Sequence, residues 1–312
     1  MFRIACIGDY TVRYSHFTAG VMEGSIRLGH WFRPIPLLQP IAEIAKQVDY
    51  FRPDVIFIHQ VFSAYHEIRL VKQFLKNLRA QGIKILLHEG DWKKKPRFKE
   101  DISEYIDIAL LNRSDIKPYS DVWQIPCYHW SYPCLQQKEI EPVQDKYKAD
   151  VSFSGNITKR DNPNHPHHGR AEFIEAIGQK LKLKLYPNKD ISNSRFFTPV
   201  IAASSKAIIG TQLDDDSSGY IDVRCFQYIG AGGLYFHDKC NSIEQFFKDG
   251  VHYVGYEKAD VGSFLGKYQH YVIDYPHEGE RIKRIGFDYC QKKYNTMIRI
   301  KQALEWVGLK NE

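Results

Sequence analysis

Short uninterrupted apolar runs alternate along the chain with segments whose apolar positions recur at helical spacing. Residues 2–7 form such a run and end in Gly8-Asp9, which predicts a strand feeding a loop. Residues 17–28 have helical spacing and small side chains (Ala19, Gly20, Gly24, Ser25) suited to close packing on a sheet. A second helix is predicted over 41–51, then a strand buried on both faces over 54–59, DVIFIH. A strongly amphipathic helix over 66–81 is capped by Gly82, and strands follow over 83–88, 106–111 and 122–125. Residues 136–147 are charged and polar and read as an inter-domain linker. A second series then begins, with strand 150–154, helix 170–181, strand 183–186, helix 197–205 and strand 207–211. It continues with a helix, Gly turn and strand over 220–238, a helix over 242–248, a strand over 252–254 and one or two long helices over 277–307. Alternation of this kind predicts an α/β protein with two parallel sheets, each carrying helices on both faces. The expected division is 1–140, 148–290 and a terminal helix over 291–312.

Composition narrows the class only slightly. The 312 residues suffice for two domains, and the net charge of +6 favours anionic partners such as nucleotide phosphates or nucleic acid. The sequence has no apolar run of membrane-spanning length, and its start reads as a strand rather than a signal peptide. Cys6, Cys127, Cys134, Cys225, Cys240 and Cys290 are scattered without metal-site spacing. They read as reduced thiols of a cytoplasmic protein.

The candidate chemistry sits at strand ends. Gly155 and Asn156 follow the first strand of the second series, where Gly155 lets backbone N–H groups approach a phosphate and Lys159, Arg160 and Arg170 can neutralise one. Arg224 lies in the helix of the 220–238 unit, preceded by Ser217, Ser218 and Gly219 as potential caps, so its N-terminus is an anion site. The alternative is an ordinary crossover in which Gly232 and Gly233 serve only helix–strand packing. The histidines at 165, 167 and 168 lack further spaced ligands and are read as a loop over a substrate, and Asp214–Asp216 as a solvated loop or cap. In the first series, strand ends nominate Asp9, His59, Glu89 and Asp91 for acid–base work, Asp91 foremost, with His16 and Glu23 behind them. Trp92, Lys93, Lys94 and Lys95 open a basic loop with flanking aromatics, a mix that can hold a phosphate backbone. Tyr128, Trp130 and Tyr132 form an aromatic patch able to stack on a sugar.

The order Arg224, Phe226, Gln227, Gly232, Gly233 resembles the donor-binding helix of GT-B glycosyltransferases, and within them the spore-maturation type with its Arg-x-Phe-Glu and Gly-Gly turn. More distantly, the order of elements is similar to bacteriophage DNA β-glucosyltransferases. The chain departs from the pattern at Gln227, which stands where the family has a ribose-gripping Glu, and at Gly219, in place of a second Glu. Gln keeps an acceptor but loses the charge-assisted bond. The resemblance implies a GT-B fold, two Rossmann-like domains facing a central cleft, with the C-terminal helix crossing back onto the first. It implies a nucleotide-diphosphate sugar, UDP-linked, as co-substrate, no metal, and a hexosyl- or pentosyltransferase, with inversion expected because the paired-Glu pattern of retaining members is broken at Gly219 and Gln227. Donor-binding residues would be Gly155, Asn156, Arg160, Arg170, Ser218, Arg224, Gln227, Gly232 and Gly233. His16, His59, Trp92, Lys93, Lys94 and Lys95 would bind the acceptor, a glycan, protein or modified DNA base, and Asp91, Glu89 and Asp9 would supply the base. A non-catalytic binding module and a sugar-nucleotide epimerase are the alternatives, separated from transfer by product analysis.

Overall fold

Parallel strands buried on both faces organise the chain twice. The computed structural model describes residues 1–10, 15–59, 62, 66–89, 100–131, 133–157, 169–187, 196–211 and 219–310. It divides into unit 1, Met1–Tyr132 with Thr296–Glu312, and unit 2, Pro133–Asn295.

Unit 1 contains β1 (Arg3–Gly8), α1 (Ser15–Arg27), β2 (Trp31–Pro36), α2 (Ile41–Phe51), β3 (Val55–His59), α3 (Ile68–Ala80) and β4 (Lys84–Glu89). It continues with α4 (Glu100–Ser103), β5 (Ile108–Leu111), α5 (Lys117–Trp123) and β6 (Cys127–His129). The sheet order is β2-β1-β3-β4-β5-β6, with every pairing parallel. α3 shows why these helices dock: Val71, Phe74, Leu75 and Leu78 recur at helical spacing and are buried against one sheet face. Two elements differ from expectation. Pro34 and Pro36 hide β2 from a propensity reading, yet β2 is the edge strand, where a missing N–H is tolerated. The strand predicted over 122–125 is instead the end of α5, because Tyr119 and Trp123, one turn apart, pack edge to face at 5.1 Å and are buried; the strand follows at β6.

Unit 2 contains β7 (Ala149–Ser154), α6 (Arg170–Gly178), β8 (Leu183–Tyr186), α7 (Thr198–Ser204), β9 (Ser205–Gly210), α8 (Val223–Gly230) and β10 (Tyr235–Asp238). α9 (Asn241–Glu244), β11 (Val254–Tyr256), α10 (Val261–Tyr268), a π-helical stretch Gln269–Asp274 and α11 (Pro276–Lys293) follow. The order β11-β10-β9-β7-β8 is again all parallel. The polar stretch read as a linker is tied to this unit: Cys134 N–H donates to the Tyr294 carbonyl at 3.0 Å and Gln137 N–H to Gln291 Oε1 at 3.0 Å.

The C-terminal region is two helices, and the break at Tyr294–Asn295 separates α11 from α12 (Thr296–Trp306), which belongs to unit 1. α12 buries Ile300, Ala303 and Leu304 among Ile4, Phe17, Phe57 and Trp130. Gly24 of α1 lets it approach, since a Cβ there would lie 2.6 Å from the Thr296 carbonyl oxygen.

Candidate functional site

From β7 the unit 2 sheet grows in both directions, β8 on one side and β9 on the other. The carboxyl ends of β7 and β9 are therefore the switch point at which open parallel sheets bind ligands. Arg170, the first residue of α6, spans it. Its Nη1 and Nη2 lie 3.5 Å from the carbonyl oxygens of Asn156, beyond β7, and Thr211, beyond β9. The guanidinium of Arg170 is 5.9 Å and that of Arg224 5.6 Å from the Phe153 ring centroid.

The two arginines differ in how their charge is met. Asp222 caps α8, accepting from the Arg224 amide at 3.1 Å, and also accepts from Arg224 Nε at 2.9 Å, with Nη2 at 2.5 Å from its second oxygen. Arg224 Nη1 donates to the Ser154 carbonyl. Burial opposes the Arg224 charge, but the Asp222 carboxylate more than offsets this and raises its pKa; Arg224 in turn lowers that of Asp222 against its own burial. Arg170 is buried with no ion-pair partner among the described residues. Burial first, then repulsion from Arg224, lowers its pKa to about 10.

Gly155 has a role its sequence position did not reveal. Its N–H donates to the Tyr186 carbonyl at 3.0 Å, so it is not offered to a phosphate. The residue instead makes room: φ is +144°, and a Cβ would fall 2.6 Å from Arg224 Nη1. The helix cap also differs from expectation, because Asp222, rather than Ser217–Gly219, starts α8. Asp222 was not singled out from the sequence, although an Asp just before an amphipathic segment is a cap signal.

The other nominated residues separate. Asn156 is exposed beside this cluster, and Gln227 is buried in a small crevice with Leu135, Gln137, Thr198, Pro199 and Ala231. Gly232 and Gly233 precede β10 and so lie at the amino end of the sheet, opposite Gly155. Their missing side chains admit Ile140 against Gly232, and Ala202 and Ile208 against Gly233. A cavity of about 480 Å³ also lies at that amino end, but its Lys148, Lys206 and Lys283 are ion-paired to Asp145, Asp150 and Glu280. Arg160, Ser218, the histidine loop and Asp214–Asp216 fall outside the described residues.

In unit 1 the switch point lies between β1 and β3. Asp9 follows β1, and its carbonyl accepts from Thr18 Oγ1 at 3.1 Å. His59 ends β3, buried with its ring 5.8 Å from His88 and 5.7 Å from Phe17, which stacks on His88 at 4.2 Å. Glu89 ends β4, where its carbonyl accepts from the Asn112 N–H at 3.1 Å. Glu23 pairs with Arg27 and accepts from Thr296 Oγ1, a bond between α1 and α12. The aromatic patch is not open to a sugar as expected: Trp130 is buried under Arg299, and Tyr128 stacks on Trp306 at 4.2 Å. Asp91, Trp92, Lys93, Lys94, Lys95, Tyr132 and the side chain of His16 lie outside the described residues.

Two parallel-sheet α/β domains of this construction are the GT-B glycosyltransferase fold, and solved structures match it over nearly the whole chain. HepE from Anabaena, solved with UDP and glucose, has a TM-score of 0.65 at 8% identity, covering 99% of this chain and 100% of that one. An α-glucosyltransferase solved with UDP and a 13-mer DNA containing a central A:G mismatch has a TM-score of 0.67 at 10% identity, covering 99% and 100%. Sucrose-phosphate synthase from Thermosynechococcus elongatus gives 0.62 at 9% identity, covering 98% of each chain. At such identities these likenesses speak for the fold. The family model described as glycosyl transferase-like matches residues 140–305, and the chain belongs to that family. No curated protein sequence matches it significantly.

Proposed function

We propose that this glycosyltransferase takes its sugar from a UDP-sugar and that Arg170 and Arg224 receive the diphosphate. The observation that carries the reading is Arg170: a buried guanidinium at the sheet's switch point, with no ion-pair partner among the described residues. A diphosphate supplies the missing charge. The UDP seen in HepE and in the α-glucosyltransferase supports the choice of nucleotide. In transfer, the bond from the anomeric carbon to the diphosphate oxygen breaks and its electrons leave with UDP. The acceptor oxygen bonds to the anomeric carbon, and its proton passes to a base. The negative charge that grows on UDP is met by guanidinium groups already in position, where preorganisation lowers the barrier most. We assign the base to Asp91, with Asp9 and Glu89 as further acceptor-side carboxylates, and ribose recognition to the Gln227 carboxamide. Arg224, Phe226, Gln227 and the Gly-Gly turn support the spore-maturation branch of the family.

Titration with UDP, GDP, ADP and CMP tests the donor. UDP should bind well above the others, and Arg224→Ala should weaken it; absence of UDP binding would overturn the reading. The two arginines supply the positive charge for which other transferases use a divalent ion. UDP affinity should therefore be equal in EDTA and in millimolar Mg²⁺ or Mn²⁺, and a strict metal requirement would count against this site.

A second reading names a DNA base as the acceptor, on the strength of the net charge of +6 and the lysines at 93–95. Neutralising Lys93, Lys94 and Lys95 together should then weaken duplex binding and reduce the slope of log affinity against log salt by about 2–3. Unchanged binding and slope would leave surface glycans and proteins as acceptors. No described helix is long and apolar enough to cross a membrane.

A further inference from the structure

We propose that Asp222 is a positioning residue of the donor site, one that fixes the Arg224 fork and restrains the site's affinity for the diphosphate product. The inference rests on the reading of Arg170 and Arg224 as the diphosphate site. Asp222 is 3% exposed and accepts two N–H groups from a single residue, the Arg224 amide and Nε, both on Oδ1, while Nη2 lies 2.5 Å from Oδ2 in an ion pair. With Nη1 tied to the Ser154 carbonyl, the fork is held by hydrogen bonds at Nε and Nη1 and by the ion pair at Nη2. A guanidinium has five N–H donors, and with Nε and one Nη1 hydrogen used in these bonds, three remain. Asp222 and Arg224 are two residues apart at the start of α8, so the clamp forms as the helix does.

The charge balance gives this clamp a second consequence. Arg170 and Arg224 bring two positive charges, and Asp222 cancels one of them within the same buried cluster. The other nearby carboxylate, Asp238, is engaged by His237, whose Nδ1 lies 3.0 Å away. A diphosphate therefore meets a rigid donor array of low net charge, one that orients it without trapping it. A transferase must release UDP in every cycle, and product release often limits turnover. Removing the Asp222 charge should tighten the product complex rather than loosen it, the opposite of what damage to a binding site does.

Asp222→Asn tests this, because the amide keeps the size and the helix-capping oxygen but not the charge. UDP should bind about tenfold more tightly, as expected for one unit of charge at several ångströms in a partly buried site. Its dissociation rate should fall in proportion, while the affinity for uridine, which lacks the diphosphate, should not change. Asp222→Glu, which keeps the charge, should return UDP affinity toward wild type. Should the Asn variant not fold, Asp222→Ser, also a capping residue, gives the same reading, with calorimetric stoichiometry reporting the folded fraction. If UDP binds a folded, charge-removed variant no more tightly than wild type, or if uridine tightens in parallel, Asp222 has no such role. Wild type that fails to bind UDP overturns the donor reading itself, and this inference with it.

Discussion

Replacing Arg170 with methionine should stabilise the ligand-free protein and weaken UDP binding about a hundredfold. The two effects have one cause. Arg170 is buried, lies over the Phe153 ring and 3.5 Å from two carbonyl oxygens, and forms no ion pair among the described residues. Burial and repulsion from Arg224 outweigh the attraction of Asp222 and Asp238, so the charge is only partly compensated, and an apolar side chain of similar length removes the penalty. A gain of about 1 kcal/mol is expected, within the range seen when buried charges are replaced by well-packed apolar groups. With UDP bound, the same guanidinium makes charge-assisted hydrogen bonds worth about 1.5–3 kcal/mol. Losing them gives a weakening of roughly ten- to a hundredfold, the upper end applying because the guanidinium is buried. Thermal unfolding and calorimetric titration on one preparation read both effects. A destabilised variant with unaltered UDP affinity would show Arg170 to be structural. Arg170→Lys should not restore binding, because an ammonium cannot span the carbonyls of Asn156 and Thr211 as a planar fork does.

Gly155→Ala should act on the same site from the opposite side. The backbone there has φ at +144°, where a side chain is strained by about 1–3 kcal/mol. The new methyl would also fall 2.6 Å from Arg224 Nη1, which must leave the Ser154 carbonyl to make room. We expect a lower Tm and UDP binding weakened about tenfold, the cost of about 1.4 kcal/mol for a displaced donor group. Gly250→Ala is the control, for its φ is +69° with nothing within 4 Å of the new methyl. It should share a backbone penalty of about 1 kcal/mol and leave UDP affinity unchanged. Equal effects of the two substitutions on UDP would dissociate Gly155 from the Arg224 fork.

The sheets were readable in advance because parallel strands are covered on both faces. Segments such as VIFIH of β3 and KILLH of β4 show as unbroken apolar runs. β2 was hidden by its two prolines, whose tolerance depends on an edge position that sequence does not state. The division between α11 and α12 was invisible for another reason. Tyr294 and Asn295 include neither Gly nor Pro, and the helices part because their apolar faces belong to different units.

The site was legible as residue types rather than as relations. Arg224 and Gly155 stand far apart in sequence, and only the structure shows that the glycine vacates space for the guanidinium. A Gly pair after a helix reads the same whether it faces a phosphate or a neighbouring side chain, and Gly232 and Gly233 face Ile140, Ala202 and Ile208. Asp222 escaped notice because Ser217 and Ser218, a few residues earlier, offered equally good capping chemistry.

The return of α12 to unit 1 bears on how the molecule is made. The strands of unit 1 precede unit 2 in the chain and so emerge first, yet the seam formed by Ile4, Phe17, Phe57 and Trp130 lacks Ile300, Ala303 and Leu304 until all of unit 2 has been translated. On the ribosome, unit 2 has every residue of its sheet in hand before unit 1 can close its apolar surface. The unit encoded first is thus the unit that matures last, and its exposed seam is where the nascent chain is most open to misassociation.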